Sequence, residues 1–351
     1  MSDVVMVGYR RCVRRAIMWR KRRFYVVLGV VFVTIICLQG LVSILSVKTL
    51  QNRSTEKPVP LYYRKDSEFG IYKTGPPRLC PEIPLDLKGK IPVLTDSLDM
   101  QSVEERHPEL MLGGSWKPKR CTPAYNIAIV VPYRDRELHL LAFLRHMHPF
   151  LQKQHLSYTI FVVEQTHSML FNRGFLLNVG FIEATAIDDY HCFFFHDVDL
   201  LPENDRNIYT CSTFPRLLAV ARSNSNYTLP YRTYFGGVTS MTRRHYLKIN
   251  GYSNRFYGWG GEDDDAYTRI HEKALLVDRI NPDFGRYFSL NHTQAGRQNN
   301  TEDILVQNQK EHFHEGLSTT RYRLLKLERK RLFTWILADP VLRQTSESPG
   351  S

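Results

Sequence analysis

The chain has 351 residues, 43% of them apolar and 23% charged, with 47 Lys and Arg against 35 Asp and Glu for a net charge of +12. That apolar share excludes a disordered chain and is enough for a sizeable core. The charge is unevenly placed: residues 1–23 hold eight Lys and Arg against Asp3 alone, which accounts for +7 of the total. The basic balance therefore does not call for a nucleic-acid partner, and no zinc-finger or RNA-binding motif is present.

Residues 24–47 pass without a charged side chain, long enough at ~1.5 Å per residue to cross a bilayer as a helix and longer than the apolar part of a cleaved signal peptide. The cluster Arg10, Arg11, Arg14, Arg15, Arg20, Lys21, Arg22 and Arg23 before it predicts a cytoplasmic N-terminus, with everything after Lys48 on the far side. Residues 48–79, with Pro58, Pro60, Pro76 and Pro77 among polar residues, read as a stem, and 80–351 as one catalytic-sized lumenal domain. A lumenal setting predicts that Cys80, Cys121, Cys192 and Cys211 are oxidised. Four cysteines allow three pairings, of which sequence proximity favours Cys80 with Cys121 and Cys192 with Cys211. Asn52, Asn226, Asn291 and Asn299 each begin an Asn-x-Ser/Thr acceptor.

Within the lumenal part, residues 126–131 read as a buried strand stopped by Pro132, 137–151 as a helix, 158–163 as a second strand and 172–184 as a second helix. The apolar run Phe193-Phe194-Phe195 is a third strand, and the β-α-β-α-β order predicts a parallel sheet of nucleotide-binding type. Neither a Gly-x-Gly-x-x-Gly nor a Walker loop occurs, so dinucleotide and ATP binding of the usual kind are unsupported.

The candidate chemistry follows the same order. Pro132-Tyr133-Arg134-Asp135-Arg136 places two arginines at a strand-to-helix turn, and Arg173 opens the next helix; arginine suits bidentate phosphate contacts. The Phe193 strand ends in Asp197-Val198-Asp199, and strand alternation predicts both carboxylates on one side, where they could hold a divalent cation against a phosphate-bearing substrate. Tyr231, Tyr234, Gly236 and Gly237 combine aromatics with flexible backbone of the kind that lines a sugar pocket. Trp259-Gly260-Gly261 then leads into Glu262-Asp263-Asp264-Asp265, four acids opening a helix that runs on through Ile270. Four carboxylates exceed what capping needs, and crowding raises the pKa of at least one toward that of a general base. His292 is a further candidate metal ligand.

Asp197-Val198-Asp199, Tyr234-Phe235-Gly236-Gly237, Asn250-Gly251 and the stretch from Trp259 to Asp265 together resemble the signatures of the animal beta-1,4-galactosyltransferase family, which includes related N-acetylgalactosaminyltransferases. So do Pro132 to Arg136 and Phe171-Asn172-Arg173 with Leu177-Asn178-Val179-Gly180-Phe181. The resemblance runs from about Cys80 to Tyr322. It implies an α/β fold of GT-A type with a mixed, mainly parallel sheet behind one transmembrane helix, in a Golgi type II membrane protein. It further implies a UDP-sugar donor, a glycan acceptor on glycoprotein or glycolipid, and manganese held by Asp199 and His292. Pro132, Arg134, Arg136, Phe171, Arg173, Asp197, Val198 and Trp259 would contact the nucleotide sugar, and Tyr231, Tyr234, Gly237, Trp259, Glu262, Asp263 and Asp264 would line the sugar sites. Asp263 would be the base, assisted by Glu262. It also implies the two disulfides that proximity favours.

Two residues refine the expectation. A tyrosine at Tyr234 goes with galactose transfer, whereas a smaller residue there goes with N-acetylgalactosamine, the alternative donor. Ser289 stands three residues before His292, where some members carry a methionine, so a weaker or more magnesium-tolerant site is expected. An inactive lumenal sugar-binding protein is the alternative of another class, and nothing in the sequence identifies a protein partner.

Overall fold

A computed structural model describes residues 78–95, 98–293 and 296–341. The expected tail and span lie outside the described residues, as does nearly all of the stem; among those described, no helix is long and apolar enough to cross a membrane.

In chain order, helix α1 (Met100–Glu105) and strand β1 (Ser115–Trp116) lead into β2 (Asn126–Tyr133), α2 (Glu137–Lys153), β3 (Ser157–Gln165), α3 (Arg173–Ile187) and β4 (Cys192–His196). Short strands β5 (Leu200–Pro202), β6 (Arg216–Leu217) and β7 (Ala221–Arg222) follow, then β8 (Val238–Thr242), α4 (Arg243–Lys248), α5 (Glu262–Glu272), β9 (Asp278–Arg279), β10 (Arg286–Ser289), α6 (Thr301–Lys310), β11 (Tyr322–Arg329) and β12 (Thr334–Pro340). The main sheet has the order β11-β12-β3-β2-β4-β8-β6-β9, with β1 against the start of β3. Its centre, β12-β3-β2-β4, is parallel, as the β-α-β-α-β pattern predicts, and β8 and β11 flank that centre antiparallel. A small second sheet, β5-β10-β7, stands apart.

Side-chain alternation divides the core between the two faces. Along β2, Ile127, Ile129 and Val131 enter the cluster that holds α2, whereas Ala128 and Val130 enter the one that holds α3. The phenylalanine run of β4 splits the same way, Phe194 on the α2 side, Phe193 and Phe195 on the α3 side. Both faces are covered, which is why these strands read as unbroken apolar runs. Helix α3 lies so close to the sheet that a Cβ on Gly180 would come within 2.3 Å of Val130 Cγ1.

Strand β2 continues through Pro132, beyond the stop expected there. Its pairing with β4 ends at Val130 while that with β3 runs to Tyr133, so Pro132 sits where one flank of the strand is already open and a missing N–H is tolerated. Both favoured disulfides are present, Cys80–Cys121 and Cys192–Cys211, with Cα separations of 4.9 and 5.7 Å. The second fastens the first residue of β4. At the other extreme, β11 is the edge strand; Leu324, Leu325 and Leu327 are exposed on it, and its register slips between Leu324 and Lys326.

Candidate active site at the carboxyl edge of the sheet

Strands β2, β3 and β4 all end at one edge, the place where open α/β sheets bind ligands. Alternation is not what places the two aspartates there. β4 ends at His196, and Asp197, Val198 and Asp199 form a turn in which Val198 is buried against the α2 core. The carboxylates consequently face different partners. Asp199 Oδ2 accepts from Arg136 Nη1 at 3.0 Å and from His292 Nε2 at 2.7 Å. Asp197 Oδ1 accepts from Arg173 Nε at 2.6 Å, and Arg173 Nη1 reaches Glu262 Oε1 at 3.5 Å.

Local structure explains each position. Asn172 caps α3, its Oδ1 accepting from the Phe175 amide at 2.9 Å, and this aims Arg173 at the β4 turn. His292 arrives because Ser289 of β10 lies opposite Leu200 of β5 and the Leu290 amide donates to the Asp199 carbonyl at 2.8 Å. Arg134, expected at the nucleotide, donates to the carbonyls of Thr166 (3.2 Å) and Met169 (2.8 Å), with its guanidinium 5.4 Å from the centre of the Phe171 ring. It holds the β3–α3 loop.

Charge is distributed unevenly across these groups. Burial works against ionised Asp199, but the hydrogen bond from His292 and the charge of Arg136 outweigh it and hold Asp199 below its ordinary pKa; the same bond lifts His292 above its own. Asp197 goes the other way, because burial and the neighbouring Asp199 outweigh Arg173.

The second half of the site is the first turn of α5, which contains all four acids of the sequence motif. They have separate duties. Asp265 turns inward to pair with fully buried Arg269 and to accept from Asn308 Nδ2 at 2.8 Å. Asp264 accepts from the Tyr231 hydroxyl at 2.8 Å. Asp263 Oδ1 accepts from the Asp264 amide at 3.1 Å, leaving Oδ2 over the backbone of Gly236, where a Cβ would come within 2.6 Å of it and 2.8 Å of the Tyr234 hydroxyl. Only glycine permits that approach. Burial, then the charge of Asp263, pushes Glu262 up to about 8, and burial with Asp264 raises Asp263. Tyr234 is buried with Tyr231 edge-on at 5.5 Å, the Gly237 carbonyl accepts from the Asp197 amide at 3.0 Å, and Trp259 is half exposed.

Sequence reasoning named Asn178 and Asn250-Gly251 only as motif residues and gave no role to the layer they form behind these groups. Asn178 Oδ1 accepts from the Tyr246 hydroxyl at 2.6 Å and the Tyr252 amide at 3.1 Å, while its Nδ2 donates to the Tyr252 carbonyl at 2.7 Å, tying the 250–254 turn to α3. It also missed Arg222, whose guanidinium lies 4.8 Å from the centre of the Tyr234 ring. The only sequence signal was an arginine ending a short apolar run, the same signal that marked Arg134.

Asp199 and His292 bring a carboxylate and an imidazole within 2.7 Å of each other. Among the described residues no group of three or more His, Cys, Asp or Glu gathers, so two such ligands leave the remaining positions to phosphate oxygens and water, as is usual for cations that work on phosphates. Ser289 Oγ, three residues before His292, is buried with no hydrogen-bond partner. A carboxylate and an imidazole fit manganese or magnesium.

Residues 80–212 match the family profile described as the N-terminal region of glycosyl transferase group 7, and residues 216–293 the one described as the N-terminal domain of galactosyltransferase. The chain is 41% identical over 264 residues to beta-1,4-galactosyltransferase 4 of Cricetulus griseus, covering 74% of this chain and 76% of that one. It is 43% identical over 265 residues to beta-1,4-galactosyltransferase 3 of Rattus norvegicus, covering 74% and 67%. The crystal structure of the catalytic domain of Drosophila beta1,4galactosyltransferase 7 in complex with xylobiose superimposes with a TM-score of 0.54 at 29% identity, covering 63% of this chain and 95% of that one. The chain therefore belongs to the beta-1,4-galactosyltransferase family, glycosyl transferase group 7.

Proposed function

We propose that the chain is a UDP-galactose-dependent β-1,4-galactosyltransferase, anchored in the Golgi membrane through residues 24–47, that transfers galactose to the 4-hydroxyl of a terminal N-acetylglucosamine or related sugar on a glycoprotein or glycolipid. One observation carries the reading: Asp263 Oδ2 lies over Gly236 beside the Tyr234 hydroxyl, while the adjacent Glu262 contacts Arg173, which pairs with Asp197 at the β4 turn. A raised carboxylate and a cluster of cations thus occupy neighbouring walls of one site.

In this reading Asp263 accepts the proton of the acceptor hydroxyl as its oxygen bonds to C1 of galactose, and the bond from C1 to the UDP oxygen breaks on the opposite face, inverting the centre. Burial, which raises Asp263, makes it a stronger base than a solvated aspartate. Arg136 and Arg173 face the negative charge that gathers on departing UDP. Asp199 and His292 would hold manganese, which when bound supplies further positive charge to the diphosphate. Trp259 presents a flat face for a sugar ring, Tyr231 holds Asp264 to one side, and the bulk of buried Tyr234 leaves room for a 2-hydroxyl rather than an acetamido group.

A donor comparison on the secreted lumenal portion, from about residue 60 onward, tests this with manganese and free N-acetylglucosamine. Preference for UDP-galactose is expected. Preference for UDP-N-acetylgalactosamine would overturn the donor assignment, and transfer from neither would overturn the acceptor assignment or the enzyme reading.

A further inference from the structure

The arginines that sequence reasoning placed at the site all have acceptors. Arg134 is committed to two loop carbonyls, Arg136 to Asp199, and Arg173 to Asp197 and Glu262. Arg222 differs. Its guanidinium stacks on the Tyr234 ring at 4.8 Å, no carboxylate or carbonyl accepts from it among the described residues, and its Nε is buried without a partner. A buried, unpaired N–H of a charged group is costly enough to need an explanation.

Its position supplies one. Arg222 ends β7 opposite Tyr287 of β10, in the small sheet whose other strand, β5, begins directly after Asp199. The next residue, Ser223, accepts from the Ser289 amide at 2.8 Å, so the Arg222 backbone is tied to the segment that carries His292. Its ring partner Tyr234 opens the Tyr234–Gly237 stretch, whose Gly237 carbonyl accepts from the Asp197 amide at 3.0 Å. Arg173, which donates to Asp197 through Nε, likewise has Nη2 buried with no hydrogen-bond partner. Guanidinium groups with unused N–H bonds suit a doubly charged, oxygen-rich anion.

We propose that Arg222 is a donor-binding residue that contacts the diphosphate of the nucleotide sugar, using Tyr234 as the platform that holds its guanidinium in place. This rests on the nucleotide-sugar reading of the site. Arg222 then does two things: it adds a cation where charge gathers on the leaving group, and it occupies the face of the ring that lines the donor sugar, linking diphosphate binding to the position of Tyr234.

The test is equilibrium binding of UDP and of uridine to the full-length protein in detergent with manganese, by calorimetry. Arg222→Met keeps apolar packing on Tyr234 and removes the donors; Arg222→Lys keeps the charge and removes the fork. The proposal expects Arg222→Met to bind UDP about 10- to 100-fold more weakly, the size of a charge-assisted contact, with uridine unchanged, and Arg222→Lys to fall between it and the wild type. Equal loss for UDP and uridine, or unchanged UDP binding, in either variant would overturn it. Should Arg222→Met show no cooperative melt, Arg222→Lys alone decides by the same UDP-to-uridine comparison. A wild type that bound no UDP would overturn the nucleotide reading and this assignment with it, whereas a wild type that binds UDP beside a variant that binds it equally well overturns the assignment alone.

Discussion

Asp263 and Gly236 are in such close contact that a single added carbon on the glycine would fall 2.6 Å from the aspartate's Oδ2. The fit has a direct cost when disturbed. Gly236→Ala should displace the carboxylate and lower kcat about 100-fold, the scale of an ångström's misplacement at a reacting centre, while UDP binding measured by calorimetry stays within a factor of about 3.

Asp263→Asn keeps the shape and removes the base. Its kcat should fall about 100- to 10,000-fold, with the melting temperature unchanged or raised, because a buried carboxylate whose ionisation the fold resists has been made neutral. A variant that retained more than about a tenth of the wild-type rate would remove Asp263 from the proton transfer.

Glu262 gives a pH signature. Burial and Asp263 lift it from its ordinary value of 4.5 to about 8, so between those two values the folded chain keeps a proton that the unfolded chain has lost. Fewer protons bound in the unfolded state means that stability falls as pH rises through that window. Glu262→Gln lacks this loss; in ligand-free protein its advantage over the wild type should be small near pH 5 and exceed about 1 kcal/mol near pH 8. A melting-temperature difference that shrank with rising pH would contradict it.

His148 acts in the opposite sense. It is fully buried between the Tyr158 hydroxyl and the Leu332 carbonyl, and burial depresses it to about 3. Below its unfolded value of 6.5 the unfolded chain takes up a proton that the folded one refuses, so stability is lost as pH falls, by about 1.4 kcal/mol per unit for this residue. Denaturant titrations at pH 7, 6 and 5 should show that slope, and His148→Gln should lose one proton's share of it.

His292→Ala should weaken manganese binding about tenfold or more, read from the electron paramagnetic resonance signal of free metal. Unchanged binding would leave Asp199 without its supposed partner.

The parts of the site that were legible in sequence are those set by local chemistry. Asp197, Asp199 and the acids of α5 stood out because unusual residue types lie together in the chain. What the sequence hid was partner choice. Asp265 belongs to Arg269 and not to the substrate side, Arg134 belongs to the β3–α3 loop, and Asp197 and Asp199 are divided by a turn where strand alternation predicted a shared face. Arg134's partners lie more than thirty residues away, Asp265 turns inward toward Arg269 one helical turn on and Asn308 of α6, and β4 stops at His196, before either aspartate. Arg222 was invisible because the ring it stacks on, Tyr234, lies twelve residues further along the chain.

Strand β11 with the residue before it and the turn after it carries six basic residues, Arg321, Arg323, Lys326, Arg329, Lys330 and Arg331, against Glu328 alone, a surplus of +5 that equals everything left of the +12 once the N-terminal tail is set aside. The remainder of the chain is electrically neutral. That surplus sits on the one long edge whose leucines face water, so two copies meeting edge to edge would bring like charges together along the whole strand. At moderate ionic strength this repulsion works against pairing along that edge, and it would weaken if those charges were screened by salt or reversed by mutation.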